Sequence, residues 1–176
     1  MPLFLDACAL AKRYLPEHLS SRRIQEITSR SNRWGGFVVS SFVEPEVVSA
    51  LAKYAREHPN YSIRFLQDHP AVVDRFRKDL SHPVFTIVGV DDEVVEEASE
   101  MLKQHPEYAI HAGDAVHLVT ARMARAKLKD GSDLVFVTAD RGLEMAARAE
   151  GFPTLNPLWQ GITDLQTIVG TSSESS

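Results

Sequence analysis

The sequence predicts an α/β fold: three layers, α/β/α, around a central parallel sheet of four to five strands. Three observations predict it. Short apolar runs alternate with helical periodicities along the chain. The runs are continuously apolar rather than alternating, as in strands covered on both faces. The chain has 176 residues, enough for one compact domain and few for two.

The elements follow in order. Leu3, Phe4 and Leu5 read as a buried strand ending at Asp6. Residues 7–15 favour helix, with Pro16 as the stop. Ser20 or Ser21 is expected to cap a second helix reaching about residue 31. Gly35 and Gly36 break the chain, and Phe37, Val38, Val39 and Ser40 form a second strand. The next helix spans about 42–57; Ser41 and Glu44 have capping-box spacing, and Pro45 is tolerated in the first turn. Residues 60–79 predict one helix or two, with Pro70 as a break or kink. Residues 83–88 form a third strand. Residues 91–104 form an amphipathic helix with Val94, Val95, Ala98, Met101 and Leu102 inward. Residues 113–127 form a helix that is apolar nearly all round, and Leu134 to Val137 is a fourth strand. Residues 140–150 are a helix ended by Gly151, and Thr154-Leu155 supplies a short fifth strand. One domain is expected over residues 1–165, with 166–176 a flexible tail ending in small polar residues.

Composition narrows the function. Apolar residues make up 44% and charged residues 24%, ordinary for a soluble globular chain. The single cysteine, Cys8, rules out an internal disulfide and a thiolate zinc cage, and fits a reducing cytoplasm. No apolar run approaches the roughly 20 residues of a membrane helix. The N-terminus lacks the basic region of a signal peptide, so a cytoplasmic location is expected. Net charge is −5, which counts against tight nonspecific binding of nucleic acid. The charges are unevenly spread. Residues 12–34 carry Lys12, Arg13, Arg22, Arg23, Arg30 and Arg33; residues 91–107 are mostly acidic. Two solvated helix faces explain this, and so does a basic rim that guides a polyanion.

Sites in open parallel sheets form beyond the carboxyl ends of the strands. Asp6 and Asp140 sit there, each also at the start of a helix, where an aspartate is a common cap. Asp114 begins a helix of apolar residues, and a buried carboxylate needs a partner or an ion. His117, three residues on, is a possible partner. Glu44 and Glu46 flank the apolar stripe of their helix on opposite sides, so periodicity does not choose between them. Carboxylates gathered together repel and take up protons; a divalent cation such as Mg²⁺ or Mn²⁺ reverses this. Such a centre suits phosphodiester hydrolysis, whether with one ion or two.

Four segments carry a resemblance: FLDACALAK at 4–12, SSFVEPEVVSAL at 40–51, GDAVHL at 113–118 and FVTADRGL at 136–143. In this order they resemble the PIN-domain nucleases, and most of all the VapC-type toxins of prokaryotic toxin–antitoxin pairs. The resemblance implies a metal-dependent endoribonuclease whose acidic pocket is Asp6, Glu46, Asp114 and Asp140, with Asp6 and Asp114 as the direct Mg²⁺ ligands. It selects Glu46 over Glu44. It also implies an RNA substrate, a homodimer, and an antitoxin that blocks the site. One departure stands out. The family usually carries hydroxyl residues after the first aspartate, where this chain has Ala7 and Cys8. That departure supports an alternative, a catalytically weakened module that binds RNA or a partner. A phosphohydrolase acting on small esters is a third reading. Cys8 as nucleophile and His117 as zinc ligand both lack partners in the sequence. Trp34 and Trp159 offer stacking surfaces or packing.

Overall fold

The structure, a computed structural model, describes residues 1–15, 19–57, 59–128 and 133–173. Five strands, β1 (Leu3–Leu5), β2 (Phe37–Ser40), β3 (Phe85–Val88), β4 (Val135–Val137) and β5 (Thr154–Leu155), form one parallel sheet in the order β3-β2-β1-β4-β5. The expected α/β/α architecture is therefore present, with five strands. From β1 the chain moves outward to β2 and β3, then crosses to β4 on the other side of β1. The strand order thus reverses beside β1, and the carboxyl ends of β1 and β4 flank the crevice that results.

Alternate residues of the central strands feed two cores. Leu3, Leu5, Phe37, Val39, Val135 and Val137 belong to one, packed against α1 (Ala7–Lys12), α2 (Leu19–Ser29), α3 (Val43–Glu57), α4 (Pro59–Leu80) and α8 (Ile162–Ser173). Phe4, Val38 and Phe136 belong to the other, packed against α5 (Asp92–Gln104), α6 (Ala112–Ala126) and α7 (Arg141–Ala149). This is the period of two expected of a strand buried on both sides. Phe4 stacks on Phe136 with centroids 5.1 Å apart, tying β1 to β4 through their side chains.

Several expectations are corrected. α1 ends at Lys12 rather than near 15, closed by the Arg13 and Tyr14 amides bonding back to Leu10 and Ala11. The stop assigned to Pro16 lies outside the described residues. Ser20 and Ser21 do not cap α2; both are buried inside it. α4 runs unbroken through Pro70. Its C-terminal half is held by Val73, Phe76 and Leu80, a buried stripe that offsets the backbone bond a proline removes. In α5, Val94, Ala98 and Met101 are buried, but Val95 is 49% exposed. The Ser41–Glu44 capping box is not formed. Ser41 Oγ accepts from the Val90 amide at 3.0 Å, and Glu44 pairs with Arg77 at 2.8 Å. Residues 166–173, expected in a flexible tail, continue α8, and the boundary drawn at 165 falls within this helix. Leu165 is fully buried, with Ile162, Ile168 and Val169 against the same core. Among the described residues no helix is long and apolar enough to cross a membrane.

Gly35 and Gly36, at φ 72° and 96°, make the turn into β2. A side chain at Gly36 would also press on the Val84 carbonyl, 3.0 Å from a Cβ built there.

Candidate active site

The acids are placed by strand ends and helix starts. Asp6 follows β1, and its amide continues the ladder to Val137 O at 3.1 Å. Its side chain caps α1: Oδ1 accepts from the Ala9 amide at 2.6 Å. Oδ2 accepts from Thr138 Oγ1 at 2.7 Å, and the same hydroxyl accepts the Asp140 amide at 3.0 Å. Asp140 in turn caps α7 through Oδ1, which accepts from Leu143 N at 2.8 Å. One threonine thus links the carboxyl ends of the two central strands. Asp114 lies in the first turn of α6, where Oδ2 accepts the His111 amide at 2.9 Å.

The expected Asp114–His117 pair is not the one found. His117 Nε2 bonds Glu46 Oε2 at 2.5 Å, and its Nδ1 meets Ser40 Oγ at 2.9 Å. α6 packs on one face of the sheet and α3 on the other. Glu46 and His117 therefore meet around the end of β2, where Ser40 stands. Glu44, the competitor of Glu46, faces Arg77 at the surface.

A cleft of about 250 Å³ brings Asp6, Glu46, Asp114 and His117 together, walled by Ala7 and Cys8 of α1 and by Ser49, Ala50 and Lys53 of α3. Asp140 does not line it. Asp140 still acts on the cleft electrostatically, because its charge raises the proton affinities of Asp114 and Cys8.

Burial sets the electrostatics. Asp6 is 1% exposed, and desolvation raises its pKa from 3.8 to about 6. His117, the Ala9 amide and the Thr138 hydroxyl oppose that rise; Asp114 adds to it. Asp114 is also raised, first by desolvation, then by the charges of Asp140 and Glu46. The Cys8 thiol is pushed up to about 12 by desolvation and then by Asp6, Asp114, Asp140 and Glu46. All four carboxylates are thus felt at one sulfur.

Such a pocket is short of positive charge. Its donors are hard carboxylate oxygens, the chemistry of Mg²⁺ and Mn²⁺. Among the described residues no three His, Cys, Asp or Glu side chains converge tightly enough to hold one ion together. The residues fit an ion held by two carboxylates, with water completing its shell, as Mg²⁺ prefers.

The charged surfaces sort as follows. Arg13 is committed to Asp79 and Thr28, and Arg23 to the carbonyls of Pro157 and Leu158. Arg22 and Arg33 are exposed. On the acidic α5, Glu97 pairs with Arg122 and Glu100 with Lys103. Trp34 is buried with Nε1 bonded to Ile27 O at 3.1 Å, whereas Trp159 is half exposed.

Sequence reasoning missed three participants: Ser40, Lys53 and the Glu46 partnership of His117. The signal for the last was a buried histidine in α6, but its partner lies 71 residues away.

The fold is shared with solved structures. FitAcB from Neisseria gonorrhoeae superposes with a TM-score of 0.57 at 16% identity, covering 91% of this chain and 100% of that one. A toxin–antitoxin complex from Klebsiella pneumoniae gives 0.54 at 18%, covering 91% and 99%. VapBC2 from Rickettsia felis, bound to a DNA fragment from its promoter, gives 0.56 at 14%, covering 89% and 98%. Among curated proteins none matches the sequence. The PIN domain family matches over residues 3–149, most of the chain and all of the acidic cleft, so this protein belongs to the PIN-domain family.

Proposed function

We propose that the protein is a Mg²⁺- or Mn²⁺-dependent endoribonuclease and the toxin of a toxin–antitoxin pair, acting in the cytoplasm. The observation that carries the reading is the cleft where Asp6, Glu46 and Asp114 share one space, with Asp114 raising the proton affinity of Asp6 and Glu46 raising that of Asp114. Family membership supports nuclease chemistry. Two structures of like fold are a toxin–antitoxin complex and VapBC2, which supports an antitoxin partner here. A homodimer is proposed on the family resemblance.

In this reading Asp6 and Asp114 hold the ion, which supplies charge stabilisation at the phosphoryl oxygens when bound. Thr138 fixes the Asp6 carboxylate through Oδ2. Glu46 Oε1, the oxygen turned from His117, takes the proton of the attacking water. Asp140 keeps the end of β4 in place and adds negative charge behind Asp114. Lys53, on the α3 wall, draws the substrate phosphate toward the acids.

The weakened-module reading rests on Ala7 and Cys8 replacing hydroxyl residues. Thr138 argues against it, because its hydroxyl already serves Asp6 at 2.7 Å. The test is cleavage of single-stranded RNA oligomers in Mg²⁺, Mn²⁺ or EDTA, beside matched DNA and an aryl phosphate ester. Metal-dependent RNA cleavage, lowered about a hundredfold or more by Asp6→Asn or Asp114→Asn in folded protein, is expected. Activity on the small ester alone favours the phosphohydrolase. No cleavage with any metal favours the binding module.

A further inference from the structure

Glu46 is held in an unusual way for a surface-facing acid. Its side chain is 30% exposed and opens on the cleft, yet one oxygen is bonded at 2.5 Å to a histidine that is almost wholly buried. That histidine cannot easily turn. Ser40 Oγ, which can donate or accept, meets its other nitrogen at 2.9 Å. The Phe4 ring stands edge-on to it, with centroids 6.2 Å apart at 70°. Phe42 covers another side at 6.5 Å.

The second observation is independent of the hydrogen bonds. Gly113 is the second residue of α6, and its φ is not in the left-handed region. Glycine there weakens the helix by roughly 1 kcal/mol relative to alanine, so the backbone does not call for it. Space does. A Cβ at Gly113 would collide with Glu46 Oε1. The carboxylate is therefore held by an imidazole on one side and fills, on the other, the space that a side chain at residue 113 would take. Both confining residues belong to α6, while Glu46 belongs to α3 on the opposite face of the sheet.

We propose that His117 and Gly113 are positioning residues that fix the Glu46 carboxylate in the cleft, with Ser40 locking the imidazole; this rests on the nuclease reading above. Their proposed action on the reaction runs through Glu46. His117 removes the rotamer freedom of a long acidic side chain and Gly113 leaves room for the conformer so held; misplacement by about 1 Å costs on the order of a hundredfold in rate.

The test compares His117→Leu, His117→Gln and Gly113→Ala in the wild-type and Glu46→Gln backgrounds, by single-turnover RNA cleavage in Mn²⁺. In the wild-type background, His117→Leu and Gly113→Ala are expected to lower the maximal single-turnover rate by roughly ten- to a hundredfold with the half-saturating enzyme concentration nearly unchanged. His117→Gln, whose amide nitrogen can stand near the place of Nε2, is expected to recover much of the loss. In the Glu46→Gln background the Leu and Ala changes are expected to add nothing further. In the metal-free wild-type protein, the His117 Nε2 proton is expected as a downfield NMR signal that moves in Glu46→Gln. Should His117→Leu fail to fold, Gly113→Ala carries the test, since alanine favours the helix. Equal losses in both backgrounds overturn the positioning role while leaving the nuclease reading intact. Failure of the wild-type protein to cleave RNA overturns both.

Discussion

Replacing Asp6 by asparagine is expected to stabilise the metal-free protein at neutral pH, although it removes a proposed ligand. The folded pKa of Asp6 is about 6 against 3.8 for a free aspartate, and the cause is desolvation. A raised folded pKa means the native state resists ionisation. The penalty is absent below pH 3.8, grows as pH rises toward 6, and is fully developed above it. The rise corresponds to about 3 kcal/mol. Asparagine escapes it and can still accept the Ala9 amide. It loses the bond from Thr138 Oγ1, worth about 1 kcal/mol. The net gain is on the order of 1–2 kcal/mol, or roughly 3–6 °C in Tm for a chain of this size. Thermal unfolding in EDTA from pH 4 to 8 measures it. The gap should close on acidification between pH 6 and 4. Divalent ion should stabilise the wild type but not the variant, by about 2.7 kcal/mol at a hundred times Kd. A wild type that is the more stable form at pH 8 without metal, or a gap indifferent to pH, would refute the reasoning.

Two other outcomes test different parts of the structure. Leu165→Ala should cost about 2–4 kcal/mol, read from the denaturant midpoint, because this α8 side chain is fully buried in the core; a change within 0.5 kcal/mol would return this segment to the status of a tail. The Cys8 thiol, pushed up to about 12, should alkylate far more slowly at pH 8 than a free thiol although the residue is exposed. Bound divalent ion should speed that alkylation by offsetting the surrounding carboxylates, and Cys8→Ser should retain RNA cleavage.

Much of the fold was legible because parallel strands are buried on both faces. Leu3 to Leu5, Phe37 to Ser40 and Val135 to Val137 carry no solvent-facing alternation to blur the signal. Helix breaks were read less well. Pro70 suggested a break, but proline's local cost says nothing of the Val73, Phe76 and Leu80 stripe that anchors the helix beyond it. α8 was hidden by its small and polar residues, and its apolar positions became meaningful only against the core. At the site, Asp6 and Asp140 followed from strand ends. The partner of His117 did not, because local spacing offered Asp114 at i−3 while the fold supplied Glu46 from another layer. Asp114 was already engaged by the His111 amide. Periodicity describes one helix at a time and is blind to where two helices meet.

The alignment of β1 with β4 has a consequence for how the molecule can vary. Leu5 is opposite Val137, so Asp6 and Thr138 are each the next residue along, and their bond depends on that pairing. Inserting or deleting one residue in either strand would turn the acid toward the wrong layer of helices. Surface loops can lengthen freely, since added loop residues cost little. The two innermost strands cannot, for together they act as a ruler against which the cleft is measured.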